Sequence, residues 1–320
     1  MPLLLALALA QGAQLAQLTP NNGSAGYDPE IEALLRHRDE RRQAQEQPAP
    51  PPAQPVAAQD EAGDDRAALA AVVPPAMAER LAGCLAKANA DPDQGIADAR
   101  AWRDEDGGGA YADQCAGYAL GKAGRWAESA SAFETGATAP GLDAVTRARL
   151  WAQAGNAALL GDDTARALRA FDNALAQPLP PTLETGEIHL DRARARVANG
   201  DQPGARVDLD KALVLAQADP MAWLLSATLA RRMNDLPLAR THIQEAARRA
   251  GNDAAVALEQ GVIDALSGDR DEAARAAFSR AKELAAPGSE IARQAEDYLA
   301  QLGGAPAAED GTPPPQVEGR

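Results

Sequence analysis

The chain has 320 residues, enough for one to three domains, and carries a formal net charge of −15 with a pI of about 4.7. Hydrophobic residues make up 46% but aromatics only 3%, and the excess is alanine, which argues against a β-sandwich or barrel and for close-packed helices. The acidic balance argues against a general nucleic-acid binder and against a binder of anionic membrane surfaces, since both need basic faces.

In chain order the first segment is MPLLLALALAQGAQLAQLTP. Leu3 to Ala10 is an apolar run followed by small residues and Gln, a pattern that resembles the core and cleavage zone of a secretory signal peptide. Residues 1–18 are assigned to it. No Lys or Arg precedes the run, which leaves open an N-terminus kept in the mature chain. The run is too short to span a bilayer and no other segment reaches about 18 apolar residues, so no stable membrane insertion is expected. Residues 19–74 read as a disordered linker. It contains the Pro/Ala/Gln tract QPAPPPAQPVAAQ, which favours extended polyproline II, and a charged stretch at 29–45 able to form one short exposed helix. Residues 303–320 return to a Gly/Pro/acidic composition and read as a disordered tail.

Between these ends, residues 75–302 repeat one pattern. In Trp151 to Pro178 it reads Trp151, Ala154, Gly155 and Ala158 on a first helix, then a Gly161-Asp162 turn. Ala167, Phe171 and Ala174 follow on a second helix. Upstream, Gly117, Leu120, Gly124, Ser129, Phe133 and Gly136 fall in the same register. Downstream come Ala193, Gly200, Ala205, Leu209 and Ala212, then Trp223, Ala227, Ala239, Ile243 and Ala246. The last unit runs through Leu258, Val262, Ala265, Ala274, Phe278 and Ala281, and the centres are spaced by about 34 to 38 residues.

This pattern resembles the tetratricopeptide repeat (TPR) family. The resemblance rests on Gly117, Phe133, Trp151, Gly155, Ala167, Phe171, Trp223, Ala239 and Phe278. It implies an all-α fold: a right-handed superhelical solenoid of stacked helix-turn-helix repeats, with small residues at tight helix contacts and a large residue where the next repeat stacks. Arg196 and His189 stand where the family carries aromatics, which predicts looser packing in that unit. A degenerate unit from Ala76 to Arg103 precedes the five, and Ser289 to Gln301 reads as a polar-faced capping helix.

The two cysteines, Cys84 and Cys115, fall 31 residues apart on the first helices of the first two units. First helices of adjacent repeats lie side by side, which predicts a disulfide stapling them. Two buried free thiols are the alternative. A disulfide and a signal peptide both require an oxidising compartment.

Catalytic chemistry has no foothold. His37, His189 and His242 are scattered with no partner at ligand spacing, no Cys/His cluster suggests a metal, and no nucleophile elbow or phosphate loop is present. Neither enzyme activity nor a cofactor nor a metal is expected. In the family the inner face is lined by exposed positions of each first helix. Here those are Arg149 and Asn156, then Glu187, Asp191 and Arg194, then Thr228, Arg231 and Arg232, then Glu259 and Asp264. Arg149, Asn156, Arg194, Thr228, Arg231 and Arg232 are the groove candidates, with their arginines forming a basic stripe for a peptide. The resemblance implies a non-enzymatic scaffold that binds a protein or peptide partner and no nucleic acid, exported to a bacterial periplasm for envelope complex assembly. A cytoplasmic adaptor, or a regulatory subunit of an enzyme complex, is the alternative.

Overall fold

The computed structural model describes residues 75–303 apart from residues 107 and 269. The stretches expected to be a signal segment, a linker with a short helix and, beyond Gly303, a tail lie outside the described residues. Thirteen helices and no strand occur among the described residues. They are α1 (Pro75–Ala90), α2 (Pro92–Asp106), α3 (Gly109–Lys122), α4 (Trp126–Ala137), α5 (Ala144–Leu160), α6 (Thr164–Leu175) and α7 (Leu183–Ala198). Then come α8 (Gln202–Leu215), α9 (Pro220–Arg232), α10 (Leu236–Arg249), α11 (Ala254–Leu266), α12 (Asp271–Leu284) and α13 (Glu290–Gly303). The chain divides into two compact units, up to Leu229 and from Ala230 on, with the boundary inside α9.

Helix boundaries follow from local chemistry. In the first unit the Asp143, Asp163 and Asp201 carboxylates accept hydrogen bonds from the backbone N–H groups of Thr146, Arg166 and Gly204, and so cap α5, α6 and α8. In the second, Asp235 and Asp253 cap α10 and α11 in the same way. A left-handed residue reverses the chain before α4, α6, α8, α10 and α12, and glycine takes it at Gly200 (φ 77). At the Gly161-Asp162 turn, however, the left-handed residue is Asp162 (φ 59), while Gly161 has φ −93. Asn234 (φ 62) is the second non-glycine residue so placed.

In the first unit α3–α4 and α5–α6 pack as tight hairpins, each closed by one aromatic ring set on one glycine. A Cβ on Gly117 would lie 2.7 Å from the Phe133 ring, and one on Gly155 2.7 Å from the Phe171 ring. Both rings are fully buried. The large residue therefore fills a gap within its own hairpin, not only one between repeats. The second unit uses the same device at Phe278, but its glycine is Gly261, one residue before the Val262 that the sequence register selects. The signature alanines Ala167 and Ala239 are fully buried in α6 and α10, whereas Trp151 and Trp223 are only half-buried. The Trp223 indole N–H donates to the Gln217 carbonyl at 2.9 Å.

The hairpin α7–α8, expected to pack loosely, is closed by charge. Asp208 on α8 is completely buried. It meets the His189 ring nitrogen Nδ1 at 2.8 Å and accepts from Arg192 Nε at 2.8 Å and Nη2 at 2.7 Å, and Arg196 Nη1 lies 3.0 Å from its carboxylate. The aromatic positions were not vacated; they were given to the partners of one carboxylate. His189 therefore does have a carboxylate partner, brought from the neighbouring helix where spacing along the chain could not show it.

Cys84 on α1 and Cys115 on α3 form a disulfide, with Cα atoms 6.2 Å apart and both residues fully buried. At the other end, the Tyr298 ring of α13 stacks on Phe278 with centroids 4.9 Å apart, while Glu290, Arg293, Glu296 and Asp297 face solvent.

Candidate functional site

In the first unit, α5 and α7 share a face on which side chains not needed for the core are partly exposed. Arg149, near the start of α5, pairs with Glu184 in the first turn of α7. One turn pair further along, the Asn156 amide Nδ2 donates to Asp191 Oδ2 at 2.8 Å. Arg194 Nη1, one turn after Asp191 on the same helix, donates to Asp191 Oδ1 at 3.0 Å. Both oxygens of Asp191 are thus occupied, and Asp191 is only 6% exposed. Arg194 Nε is enclosed and has no hydrogen-bond acceptor among the described residues.

The remaining groove candidates are Thr228, Arg231 and Arg232. Thr228 is fully buried, and its hydroxyl donates to the Leu224 carbonyl of its own helix at 3.1 Å, so it lines no open surface. A threonine one turn past an apolar stretch has this backbone acceptor within reach, which spacing alone could not distinguish from exposure. In the second unit Arg231 Nε donates to Glu259 Oε1 at 2.7 Å, and the two side chains are 12% and 5% exposed. Arg232 follows it, half-buried, at the C-terminal turn of α9. Asp264 is held by Arg270 Nε at 2.6 Å. A carboxylate on the same or the following first helix meets each of Arg149, Arg194 and Arg231, so these three arginines form ion pairs and not a basic stripe. Sequence reading named Glu187, Asp191 and Glu259 on this face but missed Glu184, which lies 35 residues after Arg149, close to one repeat period.

One register recurs. Cys115, Asp191 and Glu259 each stand two residues before the small contact residue of their first helix: Gly117, Ala193 and Gly261. Each reaches back to the preceding first helix, to Cys84, Asn156 and Arg231 respectively.

Electrostatics single out one group. Burial pushes the Asp208 carboxyl up, but the hydrogen bonds from His189 and Arg192 and the charges of Arg192 and Arg196 outweigh it. They hold the group at about 2, against an ordinary 3.8. Those partners use the oxygens of Asp208 fully, so the cluster is a structural closure with no open position for a reacting group. Among the described residues no group of three or more His, Cys, Asp or Glu could hold a metal ion, and no helix is long and apolar enough to cross a membrane.

The fold defines a class: within each unit, helical hairpins whose repeat period and glycine–aromatic closure are those of a tetratricopeptide-repeat solenoid. Among solved structures the chain is similar to pilF of Pseudomonas aeruginosa, with a TM-score of 0.57 and 17% identity over 76% of this chain and all of that one. It is also similar to YrrB, described as a TPR protein with an unusual peptide-binding site, at a TM-score of 0.47 and 16% identity over 62% of this chain and 97% of that one. The C-terminal part of a TPR repeat-containing protein from Cytophaga hutchinsonii scores 0.48 at 15% identity, over 64% and 81% of the two chains. No protein-family model matches the sequence, and no curated protein matches it.

Proposed function

We propose that the chain is a non-enzymatic scaffold that binds a protein or peptide segment along the shared face of its first helices. The observation that carries this reading is the row Arg149, Asn156 and Arg194. These polar side chains are partly exposed and tied in place, Arg149 and Asn156 by bonds from α5 to α7 and Arg194 by a bond within α7. Rigid, pre-positioned polar groups on adjacent helices lower the ordering cost of binding an extended segment. A crosslinking capture experiment tests it: Arg149→Gln combined with Asn156→Ala should cut partner capture about tenfold, the loss of one or two oriented polar contacts, without shifting the thermal melt by more than a few degrees. Capture unchanged by the pair would refute the reading.

The compartment belongs to the same proposal. A buried disulfide between α1 and α3 supports folding in an oxidising space, and export to a periplasm, in service of envelope complex assembly, fits both the disulfide and the apolar first segment. N-terminal sequencing of the mature protein should begin after the apolar run; an intact Met1 would refute export by this route.

A further inference from the structure

The first hairpin, α1–α2, is closed by charge, as α7–α8 is. Asp98 on α2 meets both Arg80 and Lys87 of α1, and the Arg80 guanidinium lies over the Trp102 ring, 4.9 Å from its centroid. These ties lie within the hairpin, so it holds its own shape. Its attachment to α3 is thinner. Ala78, Leu81, Cys84, Ala99 and Trp102 of the hairpin form a cluster to which α3 brings only small side chains, those of Ala112, Cys115 and Ala116. Alanine buries little apolar area, so this face contributes little for its length. From the hairpin, Ala88, Ile96 and the partly buried Leu85 reach the main core of the first unit. Two polar ties add to them: the Tyr118 hydroxyl of α3 donates to the Asn89 side chain of α1, and Arg103 of α2 pairs with Asp113 of α3.

The disulfide is set into this weak face. It closes a loop with a sequence separation of 31, and in the chain-entropy model that constraint suppresses opening by about 100-fold or more. Both cysteines are 0% exposed, so a reductant meets the sulfurs only when the hairpin lifts from α3.

We propose that the Cys84–Cys115 bond is a redox latch: oxidised, it fixes α1–α2 on α3; reduced, it lets the hairpin detach as one body while α3–α8 keep their fold. A dithiol reductant supplies the electrons. One of its thiolates attacks a cysteine sulfur, the S–S bond breaks and a mixed disulfide forms. Its second thiolate then displaces the cysteine from that mixed disulfide. Two protonated cysteine thiols and a cyclic disulfide of the reductant are left. Exchange with a disulfide oxidant runs the same steps backwards and sets the latch. The latch is read on the chain alone and does not depend on the scaffold reading.

Hydrogen–deuterium exchange followed by mass spectrometry on the full chain, with and without excess dithiothreitol, tests it. On reduction the amides of α1 and α2 should exchange about 100-fold faster, while those of α5 to α8 keep their rates. A Cys84→Ala, Cys115→Ala double variant should match the reduced wild type and show no response to dithiothreitol. Should that variant not fold, the reduced wild type alone gives the same readings. The native chain should also lose its disulfide about 100-fold more slowly than the urea-unfolded chain at one dithiothreitol concentration, because attack waits for opening. Unchanged α1 and α2 amides after complete reduction, confirmed by intact mass, overturn the latch. So does a rise shared by every helix from α1 to α8, which makes the bond a tie of the whole unit, and so does native reduction as fast as that of the unfolded chain.

Discussion

Replacing Gly155 by alanine sets two effects of opposite sign against each other. In an exposed helix interior, Gly→Ala stabilises by about 0.5–1 kcal/mol, because glycine loses more backbone entropy on folding. At Gly155 the new Cβ would lie 2.7, 2.8 and 3.0 Å from Cε1, Cζ and Cδ1 of Phe171, against ordinary carbon contacts of about 3.5–4.0 Å. The ring is completely buried between α5 and α6 and has nowhere to retreat without moving a helix. Overpacking of this kind costs about 1–3 kcal/mol, so a net loss of about 1–2 kcal/mol is expected. Gly83 supplies the control: it lies inside α1, is exposed, and a Cβ there meets nothing within 4 Å, so Gly83→Ala should gain about 0.5–1 kcal/mol. Urea unfolding followed by far-ultraviolet circular dichroism compares the two directly. The Gly155→Ala penalty should also disappear in a Phe171→Leu background, where the ring edge is gone, giving a coupling energy of about 1–2 kcal/mol. If Gly155→Ala gains as much as Gly83→Ala, the ring does not close that hairpin.

Three further outcomes are expected. The Asp208 carboxyl is depressed to about 2 from 3.8, so its contribution of about 2 kcal/mol is fully present above pH 4 and is lost as pH falls from there through about pH 2. Asp208→Asn should flatten that part of the stability–pH curve and, by leaving His189 and two arginines without their acid, cost about 3–5 kcal/mol in urea unfolding at neutral pH. The disulfide closes a loop with a sequence separation of 31, so Cys84→Ser with Cys115→Ser should lower stability by about 3–4 kcal/mol. Thiol labelling of the denatured, unreduced protein should find no reactive cysteine. Asp162→Gly should raise stability by about 0.5–1 kcal/mol, because a left-handed backbone costs a residue with a Cβ more than glycine; a loss on differential scanning calorimetry would contradict this.

The parts of this fold legible in the sequence are those set by local chemistry. Gly117, Gly155, Phe133 and Phe171 show the hairpin closure because only a residue without a side chain tolerates a ring at that distance. The aspartates before α6, α8 and α10 show the helix starts because capping needs a short acceptor. What stayed hidden depends on which groups meet across helices. Gly261 was missed because one extra residue before Ala274 shifts the register. His189 and Arg196 looked like defects until Asp208 appeared opposite them, and Arg149, Arg194 and Arg231 looked like a basic stripe until their carboxylates appeared beside them. Charge pairing across a repeat is a property of the stack and leaves only a weak trace at about one repeat period in the chain.

In a stack, an end repeat has a neighbour on one side only, and unzipping starts where that single interface is weakest. The two ends here are held by different means: α1 is bolted to α3 through Cys84 and Cys115, while α13 is held by packing, with Tyr298 laid on Phe278. A reductant acts on the first and is invisible to the second. Once the bridge is cut, α1 too is held by packing alone, so reducing stress should loosen the α1–α3 contact and leave the α12–α13 contact as it was.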